Sequence, residues 1–276
     1  MEIKMKFKVL ACTALLAALS VSAYAGTEAK DMKEIAPAPQ CAPADDGFYV
    51  GVYGGANFSQ DYGNGHSEYS FPGIGGVAVV SHSTNSDRLG GVGGIKAGYK
   101  FQSTDIGDGF ALQPAVELDA LYLGTSAHLH STGNSAAFGA SSTLSTSDLD
   151  SGAFFVNGIL NLKTPSIVTP YIGAGIGGEY LSASNVKLNN TILGGVPTPT
   201  VSSSYSDDTF AFAVEAIAGV NINIASHWDL FTEYKFVAAI DPSFTYNNVY
   251  VAGDSLKFNP DFIGQHLITA GIKYNF

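Results

Sequence analysis

The chain has 276 residues, a formal charge of −11 and only 13% charged residues, alongside 32 Gly, 14 Tyr and 17 Phe. A chain this acidic, whose single arginine is Arg88, lacks the clustered Lys and Arg that nucleic acid requires, and beyond its N-terminus no run of about 18 apolar residues marks a spanning helix. The low charge and the abundance of glycine and aromatics suit an all-β chain whose outer surface does not face water.

Residues 1–25 read as a secretory signal peptide. Lys4, Lys6 and Lys8 precede an apolar core over 9–21, and Ala23-Tyr24-Ala25 makes a small-x-small cleavage site. Residues 26–46, rich in Pro and Ala, hold too few large apolar groups for a core and are expected to form a periplasmic segment. Once Cys12 leaves with the leader, Cys41 is the one thiol, so no intramolecular disulfide is expected.

From 47 onward the chain alternates with period two, the signature of strands with two unlike faces. The first strand is expected over 47–58. The second, 89–101, sets Leu89, Ile95, Ala97, Tyr99 and Phe101 outward and Lys96 and Lys100 inward. The third, 110–122, sets Leu112, Val116, Leu118 and Tyr122 against Gln113, Glu117 and Asp119. Pro114 removes one ladder hydrogen bond and so argues for an early or bulged position. The fourth, 152–163, faces Phe154, Val156 and Leu160 outward and Asn157 and Asn161 inward. The fifth, 170–181, carries Gly173, Gly175, Gly177 and Glu179 inward, glycines that mark either curvature or room for a large neighbour. The sixth, 209–224, turns Glu215, Asn221 and Asn223 inward; the seventh, 228–237, turns Asp229, Glu233 and Lys235 inward. The closing strand, 262–276, sets Ile268, Ala270, Ile272, Tyr274 and Phe276 against Thr269, Gly271, Lys273 and Asn275.

Between these strands the chain reads as loop at 59–87, 123–151, 182–208 and 238–261, all rich in Ser, Thr, Asn and Gly, and as short turns at 102–109, 164–169 and 225–227. Long and short connections alternate, so all the short ones fall at one end. This is the arrangement of an eight-stranded antiparallel up-and-down transmembrane β-barrel, domain 47–276.

Three stretches carry a family resemblance: Gly47-Phe48-Tyr49-Val50-Gly51-Val52-Tyr53-Gly54-Gly55, Trp228-Asp229-Leu230-Phe231-Thr232-Glu233-Tyr234-Lys235, and Gly271-Ile272-Lys273-Tyr274-Asn275-Phe276. The chain resembles the eight-stranded outer-membrane barrels typified by the OmpA transmembrane domain and the opacity-type surface proteins. The resemblance implies an outer-membrane location, with the N-terminus and turns periplasmic and the long loops extracellular. It implies outer-membrane lipid as the surroundings, and a closing strand in which Tyr274 and Phe276 are read by the barrel-assembly machinery. Its expected role is envelope integrity and surface contact or adhesion, with host or surface ligands met by the four loops.

Strand parity gathers Lys96, Lys100, Glu117, Asp119, Glu179, Glu215, Asp229, Glu233, Lys235 and Lys273 inside the barrel. Eight strands leave an interior that side chains can fill, and charges there must be paired or hydrated. Two readings follow: a plug of ion pairs, or a narrow gated pore that the acid excess makes cation-preferring. A soluble lipocalin-like barrel would show the same alternation inside out. Catalysis finds little purchase. A lipid deacylase needs paired Ser and His, and His266, outward near the loop end, has no evident Ser beside it. His128 and His130 could join His66 or His82 around zinc, but two imidazoles on a polar loop fall short of a site. No cofactor, metal or catalytic residue is expected.

Overall fold

The computed structural model describes residues 46–59, 65–70, 77–85, 88–125, 129–135, 140–146, 148–191, 201–248, 253 and 255–276. The expected signal peptide, the segment 26–45 and Cys41 lie outside the described residues.

Among these residues there are fifteen strands: β1 Gly47–Ser59, β2 Gly65–Ser70, β3 Val77–Asn85, β4 Arg88–Lys100, β5 Thr104–Gly107, β6 Phe110–Thr125, β7 Leu129–Ser135, β8 Ala140–Thr146, β9 Asp148–Lys163, β10 Val168–Thr191, β11 Val201–Ala225, β12 Trp228–Ile240, β13 Phe244–Asn247, β14 Ser255–Pro260 and β15 Phe262–Asn275. Eight of them close a barrel. In order β11-β12-β15-β1-β4-β6-β9-β10, each strand pairs antiparallel with its neighbours, and β10 pairs back to β11. Closure gives every ladder a partner on both sides, which is what lets a glycine-rich backbone sit in lipid.

The alternation decides which face is which. Val50, Val52, Ile95, Val116, Leu118, Val156, Ile172, Ile176, Ile268 and Ile272 are exposed on the outside, while the intervening residues are buried in the lumen. Two aromatic girdles bound this aliphatic band, as at the two interfaces of a bilayer. At the short-turn end Phe48 meets Tyr99 at 4.9 Å and Trp228 meets Tyr274 at 4.9 Å. Toward the long-loop end Phe154 stacks on Phe210 at 6.3 Å, and His266 lies between Tyr234 and Phe236. Pro114 sits one residue beyond the last β4–β6 pair, Lys100 with Ala115, so its missing donor interrupts no rung of that ladder. The inward glycines make room for neighbours. A side chain at Gly98 would strike the Tyr49 ring, one at Gly94 the Tyr53 ring, and one at Gly219 the Tyr171 ring.

The long connections depart from the loop reading. β2 and β3 lie within 59–87, β7 and β8 within 123–151, and β13 and β14 within 238–261, while β10 and β11 run on into 182–208. These hairpins pair with one another in the order β10-β8-β7-β3-β2-β14-β13, the order of the barrel strands beneath them. Thr245 N then donates to Asp207 Oδ2 at 2.6 Å, bringing β13 back to β11. The long-loop end is thus a crown of β-structure. In β13 and β14 the cause was visible, because Phe244, Tyr246, Leu256 and Phe258 alternate with polar residues and are buried. In β7 and β8 Ser and Thr occupy both parities, so no period shows.

Candidate functional site

The lumen is built by parity. Lys96 on β4, Glu117 and Asp119 on β6, Glu215 on β11, and Glu233 and Lys235 on β12 are all buried at mid-barrel. Lys96 Nζ donates to Glu117 Oε1 at 3.1 Å and also to Glu233. Lys235 Nζ donates to Glu215 Oε1 at 2.9 Å and to Asp119, and lies 3.7 Å from Glu233 Oε2. Two ammonium groups therefore knit together four carboxylates drawn from three strands. Aromatic hydroxyls complete the shell: Tyr49 Oη donates to Glu117 Oε2 at 2.7 Å, Tyr53 Oη to Asp119 Oδ1 at 2.7 Å, and Tyr171 Oη to Glu233 Oε1 at 2.6 Å. Lys96 also lies 4.7 Å from the centre of the Phe231 ring, and Lys235 4.9 Å from that of Tyr53, within cation–π range.

The other inward charges stand apart from this cluster. At the turn end Lys100 lies 3.7 Å from Asp229 and donates to Asn275 Oδ1 at 2.6 Å, while Asn223 and Asn275 donate to the two oxygens of Asp229. Lys273 donates to Asn221 Oδ1 at 3.0 Å and is framed by the rings of Tyr49, Tyr171 and Phe231. Glu179, fully buried toward the loop end, accepts from Gln265 Nε2 at 2.8 Å, and Gln265 in turn accepts from Asn57. The tyrosines, Asn57, Asn221 and Gln265 were not singled out as site residues. Their inward parity was readable, but their meeting with particular charges depends on how the barrel staggers its strands.

The remaining candidates are placed as follows. His266 pairs in register with Phe58 and Phe236 and shares a hydrogen bond with Tyr234, so its strand neighbours are aromatic rather than Ser. His66 lies 3.4 Å from Glu68 and beside Asn259 Nδ2, His82 stands opposite Gly65, and His128 lies outside the described residues. Among the described residues no three His, Cys, Asp or Glu gather as metal ligands. Tyr274 packs edge-on against Phe276 at 5.1 Å; Phe276 is 68% exposed, and its amide donates to Phe48 O at 3.0 Å.

Comparison with known proteins found a relative, several solved structures and a family model similar to this chain. PagN, an outer membrane protein of Salmonella typhimurium, is 29% identical over 240 residues, covering 85% of this chain and 92% of PagN. Solved structures were also matched, two of them as follows. Neisserial surface protein A is 18% identical with a TM-score of 0.39, covering 83% of this chain and 97% of that one. OprG of Pseudomonas aeruginosa is 14% identical with a TM-score of 0.42, covering 83% and 96%. The model of the outer membrane protein beta-barrel domain matches residues 11–276. The chain therefore belongs to the outer membrane protein beta-barrel family and is a protein of the outer membrane.

Proposed function

We propose that this protein is a closed structural barrel that carries a folded β-crown outside the cell, contributing to envelope integrity and making surface contact or adhesion through the crown. The observation that carries this reading is the pairing of the hairpins from 59–87, 123–151, 182–208 and 238–261 in the same circular order as the barrel strands. Loops joined in this way present a fixed surface, and fixing a surface before contact lowers the entropy lost on binding. The orientation that goes with it puts the N-terminus and short turns in the periplasm and the crown outside. Tyr274 on β15 and Phe276 just after it would be what the barrel-assembly machinery engages.

Against the alternative of a gated cation-preferring pore stands the burial of the charges. The side chains of Lys96, Lys235 and Glu233 are 0% exposed, which leaves no wet path along them. The test uses two epitope insertions, one after Asn248 at the exposed crown tip and one in the turn 164–167. Antibody should label intact cells only for the first. Adhesion to host cells or matrix should fall when the hairpin 65–85 is replaced by a short linker while the barrel still folds. Labelling of the 164–167 tag on intact cells would reverse the orientation, and unchanged adhesion would remove the crown hairpin from the contact.

A further inference from the structure

Lys96, Lys100 and Lys235 each pair with a carboxylate, but Lys273, buried on β15, forms no ion pair among the described residues. One of the three donors of its ammonium is used, on Asn221 Oδ1 at 3.0 Å. The rings of Tyr49, Phe231 and Tyr171 stand 4.7, 5.2 and 5.4 Å from the nitrogen. Such contacts ease the burial of a cation without bringing it a counter-charge. Glu117 and Glu233, to which the two tyrosines donate, take their ammonium from Lys96 instead.

Asn221 is also part of the wall of a vestibule of about 170 Å³ that opens at the turn end. Lys100 of β4, Gln113 of β6, Asn161 of β9, Asp229 of β12 and Asn275 of β15 line it as well. Both carboxylates of this wall are already engaged. Asp229 accepts from Asn223 at 3.1 Å on one oxygen and from Asn275 at 2.9 Å on the other, with Lys100 at 3.7 Å, and Asp46 accepts from Tyr99 at 3.1 Å. Each amide brings a donor together with an acceptor, so the ammonium groups leave the vestibule with donors in excess. The charges point the same way: Lys100 and Lys163 on the wall with Lys273 behind it stand against Asp46 and Asp229.

We infer that this vestibule is a binding site for a small oxyanion of the phosphate or carboxylate class, held by the Lys100 ammonium and the amides of Asn161 and Asn221, with Lys273 supplying positive charge from behind. An oxyanion accepts hydrogen bonds and donates none, and its bonds to an ammonium are of the strong, charge-assisted kind. The site goes beyond the crown reading and needs only the barrel; in the orientation proposed above it faces the periplasm.

The test is a titration of the refolded barrel with inorganic phosphate, at constant ionic strength, in micelles of a detergent free of phosphate and carboxylate. The side-chain amide signals of Asn161 and Asn221 are followed by NMR, with Asn57 at the other end of the lumen as reference. The inference expects saturable shifts at Asn161 and Asn221 and none at Asn57. Binding should weaken about tenfold in Lys100→Gln, the loss of one charge-assisted hydrogen bond, and should weaken also in Lys273→Gln. Lys100 is partly exposed at the mouth, so its variant decides the matter if the buried Lys273→Gln does not fold. Acetate probes the carboxylate class, and glycerophosphocholine probes a lipid headgroup as the source. No shift with either phosphate or acetate would overturn the site, as would shifts shared with Asn57 or an unchanged affinity in Lys100→Gln. Shifts with glycerophosphocholine alone would replace the free anion by lipid.

Discussion

Glu233 is met by Lys96, lies 3.7 Å from Lys235 and accepts the Tyr171 hydroxyl, so its carboxylate balances two ammonium groups at once. Removing it leaves buried cations short of a partner. Glu233→Ala should cost about 3–5 kcal/mol, the range for breaking a buried pair from one side, read as a lower urea midpoint for the barrel refolded in lipid vesicles. Tyr53→Phe is milder, since Asp119 keeps Lys235; it should cost about 1 kcal/mol, the net worth of one buried hydrogen bond. A Glu233→Ala midpoint equal to wild type would mean that water, not the two lysines, satisfies this carboxylate. The sequence shows which side of each strand Lys96 and Glu233 occupy, because parity is local. It does not show that they meet, because β4 and β12 are separated by β1 and β15, and the contact depends on the stagger around the whole barrel.

At the scale of the element, β4 illustrates why glycine recurs at inward positions. Gly94 and Gly98 leave gaps that the rings of Tyr53 and Tyr49 fill from β1, and those rings carry the hydroxyls that reach Asp119 and Glu117. Gly94→Val should therefore abolish the folded, faster-migrating band on unheated gels. Gly152→Val on the outward face of β9, where a side chain meets nothing within 4 Å, should keep it. Equal behaviour of the two variants would mean that the lumen repacks freely. The barrel strands were legible because apolar and polar residues alternate cleanly in stretches such as Leu112 to Tyr122 and Ile268 to Lys273. The crown strands β2, β3, β7 and β8 were not, because Ser, Thr, Asn and His stand on both of their faces and a period-two signal needs faces of different polarity.

For the whole molecule, the lipid-facing belt and the crown are one continuous sheet. β10 runs 24 residues and β11 runs 25, each passing from the barrel into the crown, with β10 pairing β9 below and β8 above. Closure leaves the barrel without an exposed edge that could template aggregation in the membrane. Tyr274, on the strand that completes the circle with β1 and β12, and Phe276, which directly follows that strand, should matter to arrival rather than to stability. Phe276→Ala is expected to lower the amount of assembled barrel in the outer membrane while leaving the urea midpoint of the refolded protein unchanged. A lowered midpoint with normal assembly would make Phe276 a packing residue. The most direct measurement is residue-resolved amide hydrogen exchange on the barrel in detergent micelles. Protection should continue from the barrel strands into 65–70, 77–85, 129–135 and 140–146. Free exchange throughout those four crown strands, with the barrel protected, would contradict a paired crown and return the long connections to ordinary loops.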